Sequence, residues 1–546
     1  MRRSLNQTCS SSSVRCRSGR VNALWALLVS GIAIIGAAGF LLSLGGPGKI
    51  PSGQTLTMYC AAGIRVPVEE VAEEYEAKFG VHIELQFEGS NSLLTKIQVN
   101  KFDTSDLYLA ADEFYTDKAK ELGLARESLD IAYMRPVIAV PKENKAGIKT
   151  IHDLMREDVR VSLGNPDQAA VGRAVRKRLQ RIESGDSDLW TQLEAHVTRI
   201  GVFKPTVSDV ANDVRIGTVD AAIVWDSTVA MPKYRDHLTA IPVDELDGDP
   251  NLISICVLTS SQQPTEALRF ARYLSARDRG LPVFEKYGMR PVDGDVWVEN
   301  PEITFFCGAV NRRAVEQVIE DFEIREGVRV NTVYDGCGIL TSRMKTISDQ
   351  DTSLGFPDVY MACDRYYLEN VKDWFQDDVD VSDAEIVLVV PRGSDKVKSL
   401  GDLLKPGIRV AIGEPDQCTI GALTRRMLTR EAIYEKLKAK QQQDGEVVVE
   451  KPSSAMLIPD VIAGHVDVAI AYVTDTLTVN NDIDIVRIES PLKFAVQPFS
   501  VSRSSLHKHL DRRLFDRVAA AKEDFEAAGF HFRLSESAPP AETANP

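Results

Sequence analysis

The sequence predicts an α/β protein made of two tandem copies of one domain, each built from two α/β lobes. The chain has 546 residues, which is too long for one hydrophobic core and leaves room for three or four folding units. A series of short segments recurs in the same order at a spacing of roughly 250 residues. Within each copy, β-rich runs alternate with amphipathic helical segments, a pattern typical of parallel sheets covered by helices on both faces.

The repeat is clearest in one loop and one helix. The segment "GNPDQAAVGRAVRKRL" begins at Gly164, and "GEPDQCTIGALTRRML" begins at Gly413. Near the start of each copy, a helical stretch carries apolar residues at positions i, i+3, i+4 and i+7, which predicts a core-facing helix. These residues are Val68, Val71, Ala72 and Tyr75 in the first copy, and Val315, Val318, Ile319 and Phe322 in the second.

The repeat also sets the predicted domain boundaries. Domain 1 is predicted over residues 54–298 and domain 2 over residues 299–533, with almost no linker between them. A junction this short should fix the relative orientation of the two domains. The Gly- and Pro-containing stretch at 45–53 reads as a flexible tether, and residues 534–546 read as a disordered tail.

The N-terminus predicts a membrane anchor. Residues 1–20 contain five arginines and no acidic residue, and a run without any charge extends from Val21 to Gly46. This predicts a cytoplasmic basic tail and a transmembrane helix over 21–44. The protein is then expected in the cell membrane as a single-pass protein, with both domains periplasmic or extracellular. The alternative is a cleaved signal peptide, whose apolar core would be shorter.

Charge and motifs exclude some classes of function. The net charge of -15 argues against a nucleic acid partner, because phosphate binding needs a basic face. The sequence has no HExxH, GxSxG or Walker motif. We therefore predict that the protein is not an enzyme.

Seven motifs in a fixed order carry a family resemblance. In copy one they are "CAAG", "FEGSNSLL", "DLYLAAD", "VIAVP", "GNPDQAAVG", "VDAAIVW" and "FEKYGMRP". This order resembles the type II periplasmic solute-binding proteins, most closely the molybdate-binding ones, over nearly all of both copies. The resemblance implies two tandem type II periplasmic-binding-protein domains, each with two α/β lobes and a ligand cleft. The apolar run described above places an N-terminal transmembrane helix before them. The resemblance further implies an extracytoplasmic protein that binds a molybdate-like small oxyanion for uptake by an ABC transporter, whose membrane subunit would be its partner. Together with the predicted anchor, this makes the chain a membrane-anchored solute-binding protein.

The resemblance also implies ligand-binding residues in copy one. They are Gly63, Ser90, Val171, Val207 and Trp225. The loops support an anion site independently, because each strand opens directly onto a helix N-terminus, which presents unpaired N–H groups and a partial positive charge. The family usually has a hydroxyl residue at the position of Gly63 and a tyrosine at that of Trp225. These departures leave open a different or larger ligand, or a first copy that is purely structural.

Copy two carries four cysteines at strand ends or in the repeated loop, namely Cys307, Cys337, Cys363 and Cys418. Their spacing shows no CxxC motif. Three interpretations compete: two disulfides, natural in an oxidising compartment; a soft metal ion or an iron–sulfur cluster held by four thiolates; and isolated buried thiols. Because strand ends gather around the ligand in this fold, we predict that the four sulfurs converge in the second cleft.

Two further functions stay open beside solute binding. One is a metal- or cluster-binding redox protein that uses the four cysteines of domain 2. The other is a sensory or interaction ectodomain with vestigial clefts.

Overall fold

The computed structural model describes residues 53–100, 104–184, 187–349 and 355–534. The predicted basic tail (1–20), transmembrane helix (21–44), nearly all of the tether and nearly all of the C-terminal tail lie outside the described residues. In the part of the chain that is described, no helix is both long enough and apolar enough to cross a membrane.

Domain 1 alternates strands and helices along the chain. Its strands are β1 (Gln54–Ala61), β2 (Val81–Glu88), β3 (Leu107–Ala110), β4 (Ala125–Met134), β5 (Pro136–Pro141), β6 (Val161–Gly164), β7 (Glu183–Ser184), β8 (Ser187–Asp188), β9 (Val202–Lys204), β10 (Ala221–Trp225), β11 (Leu238–Ile241), β12 (Asn251–Leu258) and β13 (Arg290–Pro291). Its helices are α1 (Arg65–Phe79), α2 (Ser90–Val99), α3 (Glu113–Glu121), α4 (Ala170–Leu179), α5 (Leu189–Ile200), α6 (Val207–Arg215), α7 (Asp226–Ala230), α8 (Pro264–Leu274) and α9 (Gly280–Lys286).

Apart from β7 and β8, which pair only with each other, the strands of domain 1 form one sheet in each of two lobes. The first lobe has the order β13-β4-β12-β3-β1-β2, and the second has the order β11-β5-β10-β6-β9. The chain crosses from the first lobe to the second at Arg135, between β4 and β5, and returns between β11 and β12. The predicted two-lobed α/β architecture is therefore present.

The prediction of parallel sheets was wrong in part, because both sheets are mixed. Strand β1 runs parallel to β2 and β3, but β12 lies antiparallel between β3 and β4. In the second lobe, β10 is parallel to β6 and antiparallel to β5. Apart from the two-residue strand β13, the strands that run against the others, β12 and β5, are those next to the lobe crossings. A chain that leaves a lobe and returns to it enters the sheet without the helical crossover that a parallel neighbour needs.

Domain 2 repeats this arrangement. Its strands are β14 (Glu302–Gly308), β15 (Arg329–Asp335), β16 (Val359–Met361), β17 (Phe375–Pro391), β18 (Val410–Gly413), β19 (Val448–Lys451), β20 (Val468–Tyr472), β21 (Ile483–Arg487), β22 (Phe494–Ser502) and β23 (His531–Phe532). Its helices are α10 (Arg312–Glu326), α11 (Cys337–Asp349), α12 (Arg365–Glu369), α13 (Thr419–Arg430), α14 (Tyr434–Gln441), α15 (Leu457–Ile462), α16 (Lys508–Ala519) and α17 (Lys522–Ala527).

One strand of domain 2 runs through both lobes. Strand β17 pairs with β22 along its first part and with β20 and β21 along its last part, so the lobes share one ten-stranded sheet. In domain 1 the corresponding segment is divided at Pro136 into β4 and β5. Proline has no N–H, whereas its counterpart Ile386 donates its N–H to the carbonyl of Lys493 at 2.7 Å. This missing ladder donor accounts for the break in domain 1.

The two helices predicted to face the core do so. The buried residues of α1 include Val68, Val71, Ala72 and Tyr75, and those of α10 include Val315, Val318, Ile319 and Phe322. Each helix ends at a glycine in the left-handed conformation, Gly80 with φ 71° and Gly327 with φ 65°. Glycine adopts this conformation without a Cβ clash, so the repeat conserves the helix stop together with the apolar stripe.

The two domains meet through a buried ion-pair cluster. Glu326, at the end of α10, lies between Arg272 of domain 1 and Arg513 of domain 2, with N···O distances of 3.0 and 2.7 Å. Nearby, the Asp295 carboxylate of domain 1 accepts the backbone N–H groups of His509 and Leu510 at the start of α16. These contacts are consistent with the fixed domain orientation expected from the short junction.

Candidate functional site

A small cavity lies between the two lobes of domain 1, and all five predicted ligand residues line it. The lining consists of Ala61, Ala62, Gly63, Glu88, Gly89, Ser90, Ala111, Ala169, Ala170, Val171, Thr206, Val207 and Trp225. Inside the cavity, the centre of a water-sized sphere can occupy a volume of about 20 Å³. A sphere of that volume has a radius of about 1.7 Å, and adding water's own radius of about 1.4 Å gives ~3 Å. This size suits a tetrahedral oxyanion better than it suits a sugar or a peptide.

Ser90 is one of two hydroxyl residues in the cavity lining, the other being Thr206. Ser90 is the first residue of α2 and is 1% exposed. Its Oγ accepts the backbone N–H of Ala111 at 3.2 Å, and its carbonyl accepts the hydroxyl of Tyr108 at 2.7 Å. Because a serine hydroxyl is both acceptor and donor, the Ala111 contact fixes Oγ while leaving its hydrogen for a group in the cavity.

Three helix N-termini converge on the cavity. Ser90 is the first residue of α2, Val171 is the second residue of α4, and Val207 is the first residue of α6. First-turn N–H groups have no acceptor within their own helix, and each terminus carries a partial positive charge. The lining includes no lysine or arginine. Any anion held here would therefore be stabilised by dipoles and N–H donors rather than by a cationic side chain.

Gly63 and Trp225, the two departures from the family pattern, pack against each other. A Cβ on Gly63 would lie 2.6 Å from Cγ1 of Val207, and 3.9 Å from Nε1 of Trp225. A side chain at position 63 would therefore need Val207 to move, and it would take up cavity space. Trp225 is 1% exposed and brings an N–H donor, whereas a tyrosine hydroxyl could donate and accept.

The lobes of domain 1 are closed around the cavity. The backbone N–H of Asn91, in the first lobe, donates to the carbonyl of Gln168 in the second lobe at 3.1 Å. The Asn91 side-chain amide donates to the carbonyl of Asp167 at 2.7 Å, and the Ser208 hydroxyl donates to the carbonyl of Ala62 at 3.2 Å. The backbone of Gly89 packs so closely against the carbonyl groups of Gln168 and Pro205 in the second lobe that it leaves no room for a Cβ.

The one acidic residue in the lining belongs to the rim. Glu88 is exposed, and its carboxylate lies 3.8 Å from Nζ of Lys96.

The second hydroxyl residue of the lining caps a helix. Thr206, at the N-cap of α6, accepts the N–H of Asp209 at 3.2 Å and donates its hydroxyl to the Asp209 carboxylate at 2.6 Å. The Asp209 carboxylate is thus engaged in capping α6.

The four cysteines of domain 2 do not form the predicted four-sulfur site. Cys337 and Cys363 are joined by a disulfide, whereas Cys307 and Cys418 are free and buried. The described residues contain no group of three or more His, Cys, Asp or Glu side chains placed to hold a metal ion. Of the three interpretations, a disulfide therefore describes one pair and isolated buried thiols describe the other two cysteines.

Strand geometry explains the pairing. Strands β15 and β16 lie on either side of β14, so Cys337 after β15 and Cys363 after β16 meet across the end of β14. Cys307 lies within β14, and its Sγ faces the carbonyl of the next residue, Gly308, at 3.7 Å. Cys418 belongs to the second lobe, where its Sγ lies 3.5 Å from the carbonyls of both Glu414 and Lys451.

Sequence analysis did not identify several residues of the clefts. Ala111 contributes a backbone N–H, and Asn91 forms hydrogen bonds to the opposite lobe. Neither residue type indicates such a role in the sequence. In domain 2, Tyr472 stands at the position of Trp225, and the repeat alignment would have found it. Asp475 follows three residues later, and its Oδ2 has no hydrogen-bond partner within the described structure.

Asp475 leads to a testable pH dependence. Burial raises the pKa of Asp475 to about 6, above the usual value of about 3.9. The folded state therefore binds this proton more tightly than the unfolded chain does. The resulting stabilisation is complete below about pH 4 and is lost as the pH rises through about 6.

We expect Asp475→Asn to raise the free energy of unfolding of domain 2 by roughly 1–3 kcal/mol at pH 7, because the neutral amide removes the need to bury a charge. Urea unfolding at pH 7 and pH 4.5 measures this effect. The gain should be smaller at pH 4.5, and an equal gain at both pH values would contradict the assignment of the titration to Asp475.

A two-lobed α/β domain closed over a small cavity at the strand ends defines a class of solute-binding proteins. Residues 56–290 and 303–531 each match the family described as "Bacterial extracellular solute-binding protein". The chain belongs to that family and contains its domain twice. The matched segments lie within the ranges predicted for domains 1 and 2.

Individual relatives match one domain's length of the chain. A "Putative binding protein" of Haemophilus influenzae is 27% identical over 237 residues, covering 43% of this chain and 91% of the relative. The "Molybdate-binding protein ModA" of Mycobacterium bovis is 26% identical over 253 residues, covering 46% of this chain and 90% of the relative. Among solved structures, the periplasmic molybdate-binding protein of Azotobacter vinelandii is similar with 15% identity and a TM-score of 0.35, covering 43% of this chain and 98% of that one.

Proposed function

We propose that this chain is a membrane-anchored extracytoplasmic solute-binding protein whose domain 1 captures a small tetrahedral oxyanion of the molybdate class. The observation that carries the proposal is the small cavity between the lobes of domain 1, of about 20 Å³, on which the N-termini of three helices converge. A partner that fits there must be small, roughly spherical and rich in hydrogen-bond acceptors, and a tetrahedral oxyanion has these properties.

Membership of the solute-binding family supports the proposal, as does the molybdate-binding relative. The donors also favour a fully deprotonated oxyanion over a protonated one. Backbone N–H groups and the Trp225 ring nitrogen can only donate, so a ligand oxygen that kept its own proton would place two hydrogens against each other.

Calorimetric titration of the purified full-length chain with molybdate, tungstate, sulfate and phosphate tests the proposal. We expect heat from molybdate and tungstate, with a weaker response to phosphate because it carries a proton at neutral pH. The absence of binding to all four anions would refute an oxyanion site in domain 1.

The substitution Ser90→Ala tests the contribution of one side chain in the site. It removes the hydroxyl that α2 contributes to the cavity lining, while leaving the helix N-terminus and the Ala111 backbone in place. We expect a loss of about 1.5–3 kcal/mol of binding free energy, the usual contribution of a hydrogen bond to a charged partner. Ser208→Ala removes a half-buried hydroxyl outside the cavity lining, which donates to the Ala62 carbonyl, and it should weaken binding less.

The anchor and the transporter complete the proposed function. Residues 21–44 would hold the protein in the cell membrane as a single-pass protein, and the closed domain would deliver its anion to the membrane subunit of an ABC transporter. Mass spectrometry of the mature N-terminus tests the anchor. An intact N-terminal peptide recovered from the membrane fraction supports it, whereas a new N-terminus near residue 45 would show that the segment is cleaved.

A further inference from the structure

The disulfide of domain 2 occupies the part of its cleft that corresponds to the anion cavity of domain 1. In the register of the repeat, Cys337 takes the position of Ser90, Cys363 takes that of Ala111, and the free Cys418 takes that of Ala169. All three domain 1 positions line the cavity.

The same backbone donor is engaged in both domains, but by different partners. In domain 1 the N–H of Ala111 donates to Ser90 Oγ at 3.2 Å, and Oγ keeps its own hydrogen. In domain 2 the N–H of Cys363 donates to Cys337 Sγ at 2.9 Å. That sulfur carries no hydrogen because it is bonded to Cys363 Sγ. The disulfide thus removes the side-chain donor that the cleft of domain 1 possesses.

The two sulfurs also take up space at the floor of the cleft. Gly308, the counterpart of Ala61, ends β14 directly beneath them. A Cβ on Gly308 would lie 2.8 Å from Cys337 Sγ and closer still to Cys363 Sγ. The volume that a side-chain methyl group occupies in domain 1 is therefore filled by sulfur in domain 2.

The second cleft also contains a buried hydroxyl group that lacks a hydrogen-bond partner in the part of the chain that is described. Tyr472, at the position of Trp225, is 2% exposed, and its hydroxyl has no hydrogen-bond partner within the described structure. Cys337 begins α11 and Cys418 immediately precedes α13, so two helix N-termini reach this cleft as well. A buried hydroxyl without a partner normally marks either a missing ligand or a missing water.

We propose that domain 2 contains a second oxyanion site that the Cys337–Cys363 disulfide closes and that reduction of this disulfide opens. An external dithiol would supply two electrons and two protons, forming its own disulfide and leaving both cysteines as thiols. The Cys337 thiol would then stand where Ser90 stands, with a hydrogen to donate, and the sulfurs would be free to move apart. The choice of ligand class rests on the proposed function of domain 1.

The number of molybdate ions bound per chain tests this proposal. Calorimetry is performed on the full-length oxidised protein, on the protein reduced with a phosphine and desalted under nitrogen, and on the double variant Cys337→Ser/Cys363→Ala. This variant recreates the Ser90–Ala111 pair in domain 2 and needs no reductant. Peptide mapping by mass spectrometry confirms the state of the disulfide in each sample. Cys256→Ala, which removes a buried thiol on β12, serves as the control.

We expect one molybdate per oxidised chain, and two both for the reduced chain and for the double variant. Cys256→Ala should behave like the wild type in both redox states. Two ions in the oxidised chain, or no additional ion after reduction, would overturn the proposal. If the double variant fails to fold, the reduced wild-type protein still decides the question.

The outcome for domain 1 is read separately. No binding by the oxidised chain and one ion after reduction would refute the proposed function of domain 1 while supporting the redox-dependent site of domain 2. One ion in all samples would support domain 1 and refute domain 2.

Discussion

Gly89→Ala is expected to weaken oxyanion binding by domain 1 at least about 100-fold, or roughly 3 kcal/mol. A Cβ at this position would lie 2.6 Å from the carbonyl oxygen of Pro205 and even closer to that of Gln168. Both oxygens belong to the backbone of the opposite lobe, so neither can move aside as a side chain would. The extra methyl group would therefore hold the lobes apart and break the 3.1 Å hydrogen bond from Asn91 to Gln168.

The substitution should affect closure rather than folding. Gly89 has φ -68° and ψ 146°, an ordinary extended conformation that alanine adopts without strain. Calorimetry with molybdate measures the affinity, and thermal unfolding without ligand measures the stability.

Domain 2 provides the matched control for this variant. Gly336 occupies the position of Gly89, yet a Cβ there would come no closer than 3.8 Å to the carbonyl of Gln417, an ordinary contact. Gly336→Ala should therefore leave the affinity of domain 1 and the stability of the protein nearly unchanged. An unaltered affinity in Gly89→Ala would show that binding does not require the closed lobes.

The sequence predicted the architecture because the repeat and the apolar periodicities are local patterns. The stripe from Val68 to Tyr75 needs only the geometry of one helix, and its recurrence from Val315 to Phe322 establishes the second domain. The direction of β12 could not be predicted in this way. Its run of apolar residues fits a parallel or an antiparallel neighbour equally well, and the direction depends on where the chain re-enters the first lobe.

The cavity of domain 1 was more predictable than the cysteine chemistry of domain 2. Of the five predicted cavity residues, four follow strand ends and Trp225 ends β10, and strand ends meet at one edge of a sheet whatever the details of packing. Disulfide pairing depends on which strands are lateral neighbours. Cys337 and Cys363 are paired because β15 and β16 flank β14, whereas Cys418 lies in the other lobe. The spacing of the cysteines along the chain contains none of this information.

Glu326→Ala is expected to destabilise the protein by about 3–5 kcal/mol, the usual cost of removing one partner from a buried ion pair. Glu326 is 1% exposed, and its carboxylate contacts Arg513 at 2.7 and 3.1 Å and Arg272 at 3.0 Å. Burial alone would raise the pKa of Glu326, but the charges of the two arginines and the hydrogen bonds from them lower it. The residue is therefore ionised in the folded protein at neutral pH.

The large effect arises from the groups that remain. Without the carboxylate, Arg272 and Arg513 would be two buried guanidinium groups, 8% and 7% exposed, with no anion between them. Because Arg272 belongs to domain 1 and Arg513 to domain 2, their repulsion would act across the domain junction. We therefore expect differential scanning calorimetry to show a lower unfolding temperature and a separation of the two domains into distinct transitions.

A second ion pair at the same junction is less buried, so comparing the two shows whether the expected loss of stability comes from burial or only from bridging the domains. Arg325 binds Glu127 across the domains at 2.9 and 2.8 Å, but the side chains are 21% and 11% exposed. Glu127→Ala should cost only about 1 kcal/mol, because solvent can stabilise the remaining arginine. Replacing Arg272, Glu326 and Arg513 together with apolar residues of similar size should restore most of the stability lost in Glu326→Ala. If Glu326→Ala were no more destabilising than Glu127→Ala, the buried cluster would not be what couples the two domains.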